Sequence, residues 1–398
     1  MRISTGWMQQ QAVNAMLDQQ SAAARTQLQI SSGQRILAPS DDPAGSARAL
    51  DLTHANAAIA QYQRNIDSAD NRLGLEDQTL STVSDLLGRV RTLALEGNNG
   101  TQDADSRKNI ATEIRQRLAQ LVQLANTKDP GGDFIFAGSR TSTQPFVQGG
   151  DAVAYAGDQT ARAIAIAPGQ TLETGDPGSH VFQQIAAGNG YFSVGAAPTN
   201  QGTLIAGANS VSDIGTWDRA GYQIQFTTPG TYQVVDASNT VVSSGSYSDP
   251  TTIQFNGAQV AFTGTPVAGD SYTIAPSGSK DVFSTLSDIA DALEAPNGSA
   301  HDASVITERL GRAIENLDQA SGRIVDIRAR IGARLNTAGD QKSLNGSVAV
   351  DIKGQLGDVQ NVDYPSAISA LNLQTTALQA AQAAYVKVQG LSLFNYLK

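Results

Sequence analysis

Residues 52–94 read LTHANAAIAQYQRNIDSADNRLGLEDQTLSTVSDLLGRVRTLA, and the spacing inside this stretch decides the fold. Steps of three and four residues link Leu52, Ala55, Ile59, Tyr62, Ile66, Ala69, Leu73, Glu76, Leu80, Val83, Leu87, Val90 and Ala94. A helix of about 3.6 residues per turn puts all of them on one face, and about six heptads in succession make a coiled-coil-like seam. Ser40-Asp41-Asp42-Pro43 marks the start of the helix, with acidic caps ahead of proline at the first helical position. Glu96-Gly97-Asn98-Asn99-Gly100 marks its end. A second amphipathic helix follows with Ile114, Leu118, Leu121 and Ala125 on one face, and stops at Asp129-Pro130-Gly131-Gly132.

The far end of the chain mirrors this pattern. Ile306, Leu310, Ala313, Leu317, Ala320, Ile324, Ile327 and Ile331 keep the same spacing, and the frame continues through Arg334, Ala338, Gln341, Asn345, Val348 and Ile352. A turn is expected around Gly357 to Pro365, before a last helix that presents Leu371, Leu378 and Tyr385 at seven-residue intervals. The chain goes out through one long helix and returns through the other, so the two run antiparallel. Two polar residues interrupt the seams, Glu76 in the first and Arg334 in the second. An ion pair between them would fix the register of the helices. The alternative is that each snorkels to water at its own height.

Between the helical flanks the composition changes. Pro130 to Lys280 holds 22 of the 38 glycines and 9 of the 13 prolines, with four basic residues against ten acidic ones. Such a density of helix breakers implies strands and turns. Alternating runs at Tyr222–Phe226, Thr231–Val235, Ile253–Phe255 and Tyr272–Ile274 read as strands, separated by Pro229-Gly230, Asn256-Gly257 and Gly269-Asp270. The fold class is therefore α+β and multidomain: an elongated antiparallel α-helical coiled-coil or bundle rod built from both chain termini, with an inserted antiparallel β-domain. The expected division places residues 1–45 and 356–398 in a terminal coiled-coil domain. Residues 46–146 and 282–355 then form a helical rod domain, and residues 147–281 an outer β-domain.

The remaining composition excludes several functions. There is no cysteine among 398 residues, hence no disulfide, thiolate nucleophile or cysteine metal site. The three histidines, His54, His180 and His301, form no ligand-spaced pair. A net charge of −10 argues against a nucleic-acid binder, which needs a basic face to displace counterions. No run of about 18 apolar residues exists for membrane insertion, and Gln9-Gln10-Gln11 interrupts any secretory leader, so export without cleavage or a cytoplasmic location is expected. No nucleophile elbow, phosphate loop or dinucleotide fingerprint occurs. Neither an enzyme activity nor a cofactor is expected. Residues 1–35 carry eight glutamines and five alanines, and residues 366–390 are similar. Such thin stripes bury too little to offset ordering costs of about 1–2 kcal/mol per residue, so both ends are expected to order only against partner subunits.

Four blocks resemble the bacterial flagellin family. The first is Ile30-Ser31-Ser32-Gly33-Gln34-Arg35-Ile36 with Ser40-Asp41-Asp42-Pro43-Ala44-Gly45, where Pro43 replaces the family's usual alanine. The second is Ile327 to Asn336, with Arg328, Gly332, Arg334 and Asn336 at the family's positions. The third is Asp363-Tyr364, opening the last helix. The fourth is the ending, with Leu391, Leu393 and Phe394. The resemblance covers residues 1–146 and 282–398. Met1 to Thr5, Gly132 to Ser139 and the Phe394-Asn395-Tyr396 ending lean towards members at the junction of hook and filament, rather than filament flagellin itself.

The resemblance implies a structural subunit of the flagellum, needed for filament assembly and motility. It implies as partners further copies of the chain in a ring, hook-associated protein 1 beneath, flagellin above, the type III export apparatus, and a cytoplasmic export chaperone covering Leu371, Leu378 and Tyr385. It implies an extracellular location, and terminal helices paired as a coiled coil along the axial tube. Two other readings stand beside it: filament flagellin, and a surface adhesin or glycan-binding module using Trp217, Tyr222, Tyr232 and Tyr247.

Overall fold

The computed structural model describes residues 5–150 and 152–390, so the candidate residues Leu391, Leu393 and Phe394 lie outside the described residues. The described residues form six α-helices: α1 (Thr5–Ser32), α2 (Pro43–Gly97), α3 (Ala104–Ala125), α4 (Val282–Glu294), α5 (Ala300–Gln360) and α6 (Tyr364–Gly390). None among the described residues is long and apolar enough to cross a membrane. The chain divides into two compact units, residues 65–340 and residues 1–64 with 341–398. These limits fall inside α2 and α5, where no Gly/Pro cluster interrupts the helical period.

In the unit 65–340, the seam read from the sequence is the core. Ile66, Ala69, Leu73, Leu80, Val83, Leu87, Val90 and Ala94 of α2 are buried together with Ile306, Leu310, Ala313, Leu317, Ala320, Ile324, Ile327 and Ile331 of α5. Two ion pairs cross between these helices, Arg328 Nε to Asp77 at 2.9 Å and Arg91 Nε to Asp318 at 2.7 Å. Residue numbers rise along one helix as they fall along the other, which is the antiparallel arrangement. Helices α3 and α4 pack on each other and add Ile114, Leu118, Leu121, Phe283, Leu286 and Ile289 to the same core. Each begins on an aspartate cap: Asp103 accepts from Ser106 N–H at 2.7 Å, and Asp281 from Ser284 N–H at 2.7 Å. Pro296-Asn297-Gly298 breaks the chain between α4 and α5.

The middle segment divides its strands between two cores. Two hairpins, Phe146–Gly149 with Ala152–Tyr155 and Ala163–Ala167 with Gln170–Glu173, lie beside the helices. They place Phe146, Ile166 and Leu172 in the helical core. There Phe146 meets Phe182 edge-on at 5.4 Å and Phe283 at 5.1 Å. A short pair, Ile185–Ala186 with Ser279–Lys280, follows; the other described strands form a five-stranded antiparallel sheet, ordered Val241–Ser246, Thr231–Asp236, Tyr222–Thr228, Ser271–Pro276, Phe192–Ala196, and a three-stranded sheet, ordered Thr251–Phe255, Ala258–Thr263, Ile205–Val211. All four strands expected from the sequence are among them. Asn256-Gly257, with φ of +40° and +77°, makes the two-residue hairpin turn read from that dipeptide. The two sheets enclose a second core around Ile224, Phe226, Val260, Phe262 and Tyr272.

Leu87→Ala, at a site with no exposed surface, is expected to cost about 2–5 kcal/mol in chemical denaturation. Val325→Ala on α5, 58% exposed, should stay within about 0.5 kcal/mol of the parent.

Candidate functional site

The residues of the first and third sequence blocks come together in one small region of the terminal unit. Helix α1 ends at Ser32, and Gly33 follows at φ +73°, a conformation that an L side chain rarely adopts. A Cβ there would also lie 3.2 Å from the Tyr364 hydroxyl. The turn directs residues 33–36 alongside residues 360–362. Val362 N–H donates to Gly33 O at 2.9 Å and Arg35 N–H to Gln360 O at 2.7 Å, on either side of an antiparallel bridge between Gln34 and Asn361.

Arg35 then ties three segments. Its guanidinium donates to Val359 O at 2.9 Å, at the carbonyl-rich end of α5, and to Asp42 Oδ2 at 3.1 Å. Asp42 caps α2 by accepting from Gly45 N–H at 2.8 Å, with Pro43 as the first helical residue. That backbone hydrogen bond, and then Arg35, hold the Asp42 carboxyl below its ordinary value. The expectation of a double cap is corrected by Asp41. Its side chain turns backwards, accepts from Leu37 and Ala38 N–H at 3.1 Å each, and pairs with Arg25 of α1. Arg25 holds its carboxyl low. Only Asp42 caps the helix, because a single side chain already reaches the third amide of the first turn. Ile36 sits half-buried over Gly45, where a Cβ would stand 2.8 Å from the Ile36 Cδ1 atom. Asp363 caps α6, with Ala367 N–H donating to its carbonyl and Ser366 Oγ to its side chain.

Beyond this knot, α1 and α6 pack along each other. Their facing residues mix alanine and glutamine with a few larger apolar side chains, nearly all of them only half-buried. Ala12, Val13, Met16, Ala22, Ala23, Gln29 and Ile30 are half-buried on α1, and Leu371, Gln374, Leu378, Ala381 and Tyr385 on α6. Only Thr26 and Ala367 reach full burial among the described residues of the pair. Meanwhile Trp7 is 60% exposed, Leu28 59% and Leu373 72%, with Leu17, Ile368 and Val386 also facing solvent. A helix pair with this little buried apolar surface and this much left outside has the composition of half an interface.

The second block lies in the other unit and has a different character. Arg328 pairs with Asp77 on α2. Arg334 does not bond Glu76 directly. It pairs with Asp176 at 2.7 Å and also with Glu173. Glu76, fully buried, accepts from Asp176 N–H at 3.0 Å through Oε1, and its Oε2 has no hydrogen-bond partner among the described residues. This is neither a direct Glu76–Arg334 ion pair nor two groups reaching water at separate heights. The two residues lie at one level, and the loop carrying Asp176 stands between them and takes both. The loop belongs to the inserted segment, a hundred residues from Glu76, so no helical period could announce it. Burial pushes the Glu76 carboxyl up to about 8, with the Asp176 carboxylate adding to the push. Gly332 and Asn336 face open space or solvent, and no contact among the described residues of this unit demands them.

The aromatic residues considered for glycan binding do not form a surface. Trp217, Tyr222 and Tyr247 are buried in the second core and Tyr232 packs partly against it. No group of three or more metal-ligating side chains occurs among the described residues.

Comparison with known proteins matches residues 3–141 to the bacterial flagellin N-terminal helical region. Flagellar hook-associated protein 3 of Escherichia coli K12 is 26% identical over 404 aligned positions, covering 100% of both chains. The crystal structure of Xanthomonas campestris FlgL is similar at 35% identity and a TM-score of 0.73, covering 77% of this chain and 99% of that one. A crystal structure described as the flagellar junction protein FlgL from Legionella pneumophila is 28% identical with a TM-score of 0.68, covering 72% of this chain and 98% of that one.

Glu76 supplies a pH test. Its folded pKa lies above the ordinary 4.5, so the folded state holds the proton more tightly than the unfolded chain. The resulting stability is fully present below about 4.5 and is lost as pH rises through about 8. Glu76→Gln should therefore melt close to the parent at pH 4.5 and clearly above it at pH 8.5. In the knot, Gly33→Ala should cost more than about 1 kcal/mol locally, read as faster hydrogen exchange at the Arg35 and Val362 amides.

Proposed function

Because the chain belongs to the hook-associated protein 3 (FlgL) family of flagellar proteins, we propose that it is the structural subunit joining the flagellar hook to the filament. It acts by occupying a position, not by catalysis. The subunit forms a ring with further copies of itself, resting on hook-associated protein 1 and carrying flagellin above. It reaches the cell exterior through the type III export apparatus, after a cytoplasmic chaperone has covered the last helix at Leu371, Leu378 and Tyr385. On this reading residues 1–45 and 356–398 form the terminal coiled-coil domain, residues 46–146 and 282–355 the rod, and residues 147–281 the outward β-domain. Ile30, Gly33, Arg35, Ile36, Asp41, Asp42, Pro43, Asp363 and Tyr364 set the geometry of the terminal domain. Arg328 and Arg334 brace the rod.

The observation that carries the proposal is the apolar surface left outside the α1–α6 pair, Trp7, Leu17, Leu28, Leu373 and Val386 above all. A pair without a core of its own gains its stability on contact with a neighbour, which withholds assembly until subunits meet at the growing tip. The similarity to a hook-associated protein over the full length favours a junction subunit over a filament subunit, since the flagellin of Serratia marcescens aligns with 35% of this chain.

Two experiments test this reading. Cells lacking the gene should carry hooks without filaments and release flagellin into the medium; normal filaments in such cells would sink it. A chain trimmed of residues 1–32 and 364–398 should keep its far-ultraviolet circular dichroism per helical residue, yet fail to restore filaments to those cells.

A further inference from the structure

The β-sandwich formed by residues 192–276 meets α5 through polar groups, and the two apolar cores on either side do not merge. Arg312 of α5 donates to Ala206 O and, at 3.3 Å, to Gly207 O. Asn209 Nδ2 donates to Glu315 Oε1 at 2.8 Å, and His301 Nδ1 lies 2.7 Å from Gly202 O. Beside these contacts a cavity of about 720 Å³ opens between the sandwich, α4 and α5. Its sandwich wall combines the small residues Gly195, Ala196, Ala197 and Gly202 with Pro198, Asn200, Leu204 and Tyr272.

Glu308 of α5 is buried at the edge of this cavity. Its Oε2 lies 3.4 Å from the Tyr272 hydroxyl, whose one proton goes to Leu204 O at 2.6 Å, so a protonated Glu308 donates to the hydroxyl oxygen and an ionised one loses that bond. Its Oε1 has no partner among the described residues, and neither has the Arg312 Nε one helical turn away. A carboxyl group closed in this way is stable when protonated and costly when charged. From these placements we infer that the sandwich is a hinged module, latched onto α5 by the protonated Glu308 and released as that carboxyl ionises.

The other charged groups around the joint do not relieve the latch. On α5, Arg312 is committed to the sandwich carbonyls and to Glu315 at 3.1 Å, Asp302 to Ser299 and the Gly298 amide, and Arg309 is exposed. On α4, Asp288 pairs with Lys280 at 2.5 Å and Asp291 with Arg115 at 2.7 Å. On the sandwich, Asp270 accepts from the Gln201, Gly202 and Val267 amides, and burial above all keeps Tyr272 un-ionised. Burial raises the Glu308 carboxyl from 4.5 to about 7, with Arg312 only partly opposing it. An opened joint admits water and returns the group to its ordinary value. The closed state therefore holds the proton more tightly, and the ratio of closed to open falls by up to about 300-fold as pH rises from below 4.5 to well above 7. This inference stands apart from the assembly reading, since it concerns one chain alone.

The absence of cysteine makes the test direct. Spin labels on the full chain at Thr199→Cys and Ala303→Cys, both exposed, report the distance across the joint. At pH 5.5 a single short distance is expected, and at pH 8.5 a second, longer population. With Glu308→Gln added, the short distance should persist at both values. A distribution in the parent that is the same at both pH values overturns the inference, as does a pH response that survives Glu308→Gln. Hydrogen exchange of residues 200–207 in the unlabelled chain gives an independent reading: faster exchange at pH 8.5, corrected for intrinsic rates, in the parent and not in Glu308→Gln. Equal corrected rates at the two pH values in the parent overturn it equally.

Discussion

The antiparallel seam between α2 and α5, over residues 66–94 and 306–331, is the interaction on which the rest depends. More than two hundred residues separate its two halves in sequence, and everything between them hangs on their meeting. The insertion does not merely sit on this seam. Its hairpins return Phe146, Ile166 and Leu172 to the helical core, so the first part of the middle segment completes what the helices begin. Only from Phe192 onward does the chain build a separate core.

Polar groups within this frame are placed where each does something that an apolar residue would not. Glu76 interrupts the stripe at a position that leucine would fill, and it accepts the Asp176 amide. Arg334, at the same level on the returning helix, holds the Asp176 side chain. The loop of the insertion is thereby held from both long helices at once. The cost of burying Glu76 is met by keeping it protonated near neutral pH rather than by a direct charge pair. The same device recurs with Glu308, where the group joined is a whole sheet sandwich.

The terminal unit works by the opposite rule. Its knot of Arg25, Arg35, Asp41 and Asp42 is rich in hydrogen bonds and poor in buried carbon, and the α1–α6 pair has alanine and glutamine at many of the facing positions and leaves the larger ones half-buried. Directional bonds fix how the chain turns between helices. They do not supply the free energy that holds the helices, which comes from apolar area removed from water. That area is present in Trp7, Leu28 and Leu373, on the outside.

The sequence by itself determined the elements that follow from local periodicity: the long seams, the capped start at Pro43, the Asn256-Gly257 turn, and the four strands around residues 222–274. It also carried, in the spacing of Gly33, Arg35 and Asp42, the motif that the structure gathers into a knot. Each of these rests on neighbours within a few residues, where hydrogen-bond geometry and side-chain period leave a mark. Tertiary structure alone decided what Glu76 and Arg334 bond to, that Asp41 reaches back to Arg25, that Trp217 and Tyr222 turn inward, and where the insertion divides between two cores. Those outcomes join residues from 16 to 158 positions apart, or turn an aromatic side chain inward rather than outward. Such choices are made by competition for buried space, which a one-dimensional pattern does not record.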